Sequence, residues 1–166
     1  ATALDKAYFY WNKAIGLDPE NKVLIEKINR LTKEQELAKA NIVSQLPHFE
    51  LLYDKALAVD TALVNEILEK AYFDIGGDLS YFPKDKTRVF LYSKKDFRDI
   101  FKLSAFVAAF YDGNIRMPLP EENLNRAEFA NYIRHEYTHA VVSAITNNNC
   151  PYWFSEGVSM WEEHKD

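Results

Sequence analysis

Apolar residues in the first 45 positions recur at helical spacing. Ala7, Trp11 and Ala14 share one helix face, and the proline of Leu17-Asp-Pro-Glu-Asn21 ends that helix and turns the chain. Val23, Leu24, Ile28, Leu31 and Leu37 line a further helix from Asn21 to about Asn41. Residues 1–45 are therefore expected to be helical. Beyond Pro47 the pattern changes. His48-Phe-Glu-Leu-Leu-Tyr53 predicts a strand, Thr61 to about Tyr72 an amphipathic helix ending near Gly76-Gly77, and Thr87-Arg-Val-Phe-Leu-Tyr-Ser93 a second strand. A short helix from Lys94 to about Leu103 follows. Ala105–Tyr111 and Asn114–Leu119 flank Asp112-Gly113, a pair whose tolerance of positive φ marks a hairpin. Pro118 lacks an N–H, which assigns the second arm to a sheet edge or a strand end.

A long helix is predicted from Asn125, with Asn125 as cap and Glu128 reaching back to it. Phe129, Ile133, Tyr137, Ala140 and Ala144 form its buried stripe, and Asn147-Asn-Asn149 ends it. Pro151 suits the first turn of a closing helix through Trp153, Val158 and Trp161. The class this order predicts is α+β with an appended helical segment, residues 1–45 before a core of 46–166. The Ala7, Trp11, Ala14, Pro19 spacing resembles the second helix of a tetratricopeptide repeat. Half a repeat cannot bury its face alone, so further repeats upstream are expected, with an ordinary helical hairpin as the alternative.

Composition narrows the function classes. The 166 residues are 48% apolar and 14% aromatic, a globular mixture, and the net charge of −5 lacks the basic face a nucleic-acid binder needs. No apolar run is long enough to span a membrane. Cys150 is the only cysteine, so no internal disulfide forms. The first residues carry neither an initiator methionine nor a leader pattern, and the chain is expected to begin inside a longer protein.

The informative stretch is His135-Glu136-Tyr137-Thr138-His139 on the long helix. Residues four apart differ by about 40° around a helix axis, so both imidazoles reach one ion. Neutral imidazole suits zinc, and a carboxylate one residue on lies beside the ion, where Glu136 can take a proton from its water. A catalytic zinc needs a third protein ligand and an open position. Glu156, 17 positions after His139 in Trp153-Phe-Ser-Glu-Gly157, would face the histidines from the closing helix, with Gly157 permitting close approach of the two helices. Two surface histidines with an incidental glutamate are the competing explanation. Helical placement and a downstream glutamate at a workable spacing weaken it.

Arg134-His-Glu-Tyr-Thr-His-Ala140 and Pro151-Tyr-Trp-Phe-Ser-Glu-Gly157 resemble the gluzincin metallopeptidases of the MA clan, in particular the domains attached to tetratricopeptide repeats. The resemblance covers about residues 46–166. It implies a zincin-like core, made of a small mixed sheet with a hairpin, an active-site helix and a Glu-ligand helix. It further implies one zinc ion on His135, His139 and Glu156, with Glu136 as general base in peptide-bond hydrolysis. An edge strand near Asn114–Leu119 would border the cleft and pair with an extended peptide or protein substrate, which brings Asn114 and Arg116 in as substrate-binding candidates. Tyr152 is a further candidate for substrate contact. A bacterial, extracytoplasmic setting fits many members. Thermolysin-like members carry an Asp four residues after the ligand Glu, but here that position is Met160, so another group must orient the histidine. The family's oxyanion donor and far cleft wall are expected to lie beyond the chain's end.

Other readings compete. A repeat-bearing scaffold could bind protein partners through its helices without cleaving them, and the same metal and base could serve a non-peptide carbonyl substrate. His48 and His164 read as partner-bonded or solvent-facing, Glu162 and Glu163 as a solvated helix end, Glu121-Glu122 as a charged approach to the helix, and Cys150 as a small residue at a helix start.

Overall fold

Two helices lead into an alternation of strands and helices. The computed structural model describes residues 3–102, 108–119 and 126–165. In chain order the elements are α1 (Ala3–Ile15), α2 (Lys22–Ala40), β1 (Asn41–Gln45), β2 (Phe49–Asp54), α3 (Thr61–Asp78), β3 (Thr87–Tyr92), α4 (Lys94–Phe101), β4 (Phe110–Tyr111), β5 (Ile115–Pro118), α5 (Arg126–Thr146) and α6 (Tyr152–Glu163). Among the described residues this is a mixed α+β fold of six helices and one five-stranded sheet. The sheet order is β1-β2-β3-β5-β4. β2, β3 and β5 run parallel, and β1 and β4 close the two edges antiparallel.

Period-2 alternation divides the side chains between two faces. Phe49, Leu51 and Tyr53 of β2, Val89 and Leu91 of β3, and Ile115 and Met117 of β5 join the main core with α3 and α5. Phe90 and Tyr92 turn the other way and pack with Phe97, Ile100 and Phe101 of α4. Phe129, Ile133, Tyr137, Ala140 and Val141 form the core-facing stripe of α5, as expected, whereas Ala144 is exposed. His48, expected to be partner-bonded or solvent-facing, pairs with Glu69 of α3 and stacks on Tyr72 at 3.6 Å between ring centroids.

Several expected boundaries shift. Asn41–Gln45 continues the sheet and is not helical, since its register with β2 runs from Asn41 opposite Asp54 to Gln45 opposite Glu50. The helical segment therefore stops at Ala40. α3 ends as expected close to Gly76-Gly77, at Asp78, and Gly76 lies where the Phe82 ring occupies the space a Cβ would fill, 2.4 Å from the nearest ring carbon. The hairpin forms, with Gly113 at φ +96. Pro118 stands at the strand end, the last residue of β5, but the second arm is not the edge: β5 is flanked by β3 and β4, and the edge is β4. Asn125, Leu103, Ala105 and Glu121-Glu122 lie outside the described residues. Glu128, the other half of the expected cap, accepts from the Tyr132 hydroxyl at 2.9 Å. α5 ends as expected, on Asn147 and Asn148 at φ 52 and 58, a conformation asparagine tolerates. Pro151 stands just before α6, at its N-cap. No described helix is long and apolar enough to cross a membrane.

Candidate metal centre

α5 and α6 pack against each other as consecutive helices joined by a short turn. Their antiparallel run brings the two halves of the site together. His135 and His139 sit one turn apart on α5, and their Nε2 atoms lie 3.2 Å from each other. Glu156 faces them from α6, with Oε2 3.6 Å from His135 Nε2 and Oε1 3.4 Å from His139 Nε2. These three residues form a group able to hold a metal ion. A tetrahedral ion bonded at about 2.0–2.1 Å separates its ligand atoms by about 3.3 Å. The Nε2–Nε2 separation and the approaches of the two Glu156 oxygens, one to each histidine, are close to that spacing. Two imidazole lone pairs and a carboxylate crowded to this distance repel one another unless a proton or cation lies between them, so the donor set fits a cation.

The outer ring nitrogens are held. His135 Nδ1 is 2.8 Å from Glu163 Oε2, and His139 Nδ1 is 2.7 Å from Ser155 Oγ. A carboxylate only accepts, so this contact selects the tautomer with its proton on Nδ1, which leaves Nε2 bare and turned inward. Glu163 therefore holds the His135 ring, and the Glu162–Glu163 pair is no solvated helix end. Glu162 is fully buried. The missed signal was in the spacing. Seven residues are nearly two helical turns, so Glu163 lies on the same face of α6 as Glu156.

Glu136 is buried beside the triangle, and its Oε2 has no hydrogen-bond partner among the described residues. Burial, followed by the charges of Glu156 and Glu163, pushes its carboxyl up to about 8. Burial holds His139 below the usual imidazole value, partly offset by Glu156. A cavity of about 750 Å³ opens over this layer, with Glu136 and the donor residues on one side and Ala108–Tyr111 of the sheet edge on the other.

The expected substrate-contact residues divide. Tyr152 lines the cavity, and its hydroxyl bonds to Glu156, which raises its pKa. Asn114 lines a neighbouring cavity of about 520 Å³ that shares only Tyr111 with the first. Arg116 points to the opposite sheet face, 4% exposed, with its Nε on Asp112 at 3.0 Å and Nη1 on the Tyr92 hydroxyl at 2.7 Å. The structure brings neither Asn114 nor Arg116 to the His135, His139 and Glu156 group. Cys150 lines the cavity but is not among the three grouped donors. Gly157 does not mediate helix approach, for nothing lies within 4 Å of a Cβ built on it, and it faces outward beside Trp153, Phe154 and Trp161. His164 ends α6, exposed to solvent. Compared with protein-family models, characterised proteins and solved structures, the chain matches none.

Proposed function

We propose that this chain is a zinc-dependent peptidase of the gluzincin type, with a zincin-like core after two repeat-like helices. The observation that carries the reading is the meeting of the two Nε2 atoms, 3.2 Å apart, with the Glu156 carboxylate, whose Oε1 lies 3.4 Å from His139 and whose Oε2 lies 3.6 Å from His135, with Glu136 buried beside them. His135, His139 and Glu156 would hold the ion. Bound there, zinc would supply Lewis-acid polarisation of a carbonyl and lower the pKa of a water.

The protein's own groups do the rest. Glu136 takes the water proton at its unpartnered Oε2 and returns it to the leaving nitrogen, so that water and one amide become an acid and an amine. The outer edge of β4, antiparallel to β5 and beside the cavity, offers backbone groups to an extended peptide. Glu163 and Ser155 keep the histidine rings turned.

The test is cleavage of a fluorogenic peptide library by zinc-loaded protein and by Glu136→Gln. The reading expects cleavage by the parent, and loss of turnover with zinc retained in the variant. Equal cleavage by both proteins would overturn the role of Glu136. Zinc uptake with no peptide cleavage would favour the scaffold or the non-peptide hydrolase instead.

A further inference from the structure

Arg134 immediately precedes the first histidine, and Glu162 immediately precedes the carboxylate that orients it. The four residues make two adjacent rungs between α5 and α6, Arg134 with Glu162 and His135 with Glu163. Arg134 uses its whole fork. Nε donates to the Glu162 backbone carbonyl at 2.8 Å, Nη2 to Glu162 Oε2 at 3.1 Å, and Nη1 to Asp74 Oδ2 of α3 at 2.7 Å. The Glu162 side chain is 0% exposed and that of Arg134 14%. The Glu162 carbonyl lies in the last turn of α6, where carbonyls lack intrahelical donors and a cation is favoured.

One guanidinium therefore caps α6, fixes its rotation and ties it to α3. Successive residues on a helix differ by about 100° about its axis. Any rotation of α6 that releases Glu162 also withdraws Glu163 from His135. A buried ion pair is a weak source of stability, since well-packed apolar residues often replace one without loss. Its position one residue from the donor triangle points to placement.

We propose that Arg134 and Glu162 are positioning residues that hold Glu163 against His135 and keep the His135 Nε2 turned into the donor triangle. The proposal rests on the metal reading of that triangle.

The test compares the parent protein with Arg134→Gln, Glu162→Gln, Glu163→Gln and the apolar pair Arg134→Met/Glu162→Leu. Two quantities are read: the zinc dissociation constant by chelator competition, and the tautomer of His135 in metal-free protein by imidazole ¹⁵N–¹H correlation. Each variant is expected to weaken zinc binding about 10–100-fold and to lose the single Nδ1–H tautomer. Arg134→Gln combined with Glu163→Gln is expected to be no worse than Glu163→Gln alone. The apolar pair keeps the test decisive if a single variant fails to fold, because it removes both charges together. Arg126→Gln, which removes an exposed partner of Glu66, should leave both quantities unchanged. Parent-like zinc affinity and an unchanged His135 tautomer in the apolar pair would overturn the proposal. If the parent takes up no zinc, the metal reading fails, and the tautomer in metal-free protein still decides whether Arg134 and Glu162 position the ring.

Discussion

Replacing Glu136 by glutamine isolates the most displaced ionisation near the site. Its folded-state pKa of about 8 stands above the ordinary 4.5, so folding takes up a proton between those two values. The stabilising contribution is complete below about pH 4.5 and is lost as pH rises through about 8. Each displaced unit corresponds to about 1.4 kcal/mol, so a displacement of about 8 − 4.5 = 3.5 units sets an upper limit of about 5 kcal/mol. Relaxation around the charge lowers this to roughly 2–5 kcal/mol, or roughly 5–15 °C of melting temperature for a chain of this size. Glutamine keeps the shape and cannot ionise. In metal-free protein with chelator present, the melting temperature of Glu136→Gln should overtake that of the parent progressively between pH 5 and 8. Zinc should shrink the difference, because a nearby dication favours the carboxylate. Parallel melting curves for the two proteins across this range would refute the reasoning, and so would a growing advantage of the parent.

Zinc at 100 times its dissociation constant should stabilise the fold by about 2.7 kcal/mol, seen in thermal melts as a rise that His139→Ala abolishes. Gly77→Ala and Gly157→Ala place a methyl in open space on helices and should each stabilise by about 0.5–1 kcal/mol in urea unfolding. Gly76→Ala should lose that gain, because its methyl meets the Phe82 ring, and Phe82→Ala should restore it. Arg116→Met should destabilise by about 2–4 kcal/mol through the Asp112 and Tyr92 contacts it removes, while zinc affinity stays within about twofold of the parent.

Local periodicity carried most of the elements. The strands around Leu51 and Val89, and α3, α4, α5 and α6, stand where their patterns predict, because burial on one face leaves the same imprint in sequence as in space. The histidine pair on α5 was equally legible, since four residues of one helix suffice to align two rings. What escaped was set by pairing between distant segments. β1 follows α2 with no glycine or proline to mark the change, and only its partner strand β2 makes it extended. The arms of the hairpin look alike locally; β5 becomes interior because β3 pairs with it, which also turns Arg116 away from the cavity. Glu156 faces the histidines as its spacing predicted; what was not foreseen is that the same rotation of α6 sends Gly157 outward and Glu163 inward.

The central claim is that two imidazoles and one carboxylate hold a single zinc ion. X-ray absorption at the zinc edge of the loaded protein tests it most directly. The account predicts about one ion per chain with only nitrogen and oxygen neighbours at about 2.0–2.1 Å, two of them showing the multiple scattering of imidazole. Glu156→Ala should lose one oxygen neighbour or the ion itself. A sulfur shell at about 2.3 Å, which would draw in Cys150, or a shell without imidazole would contradict it.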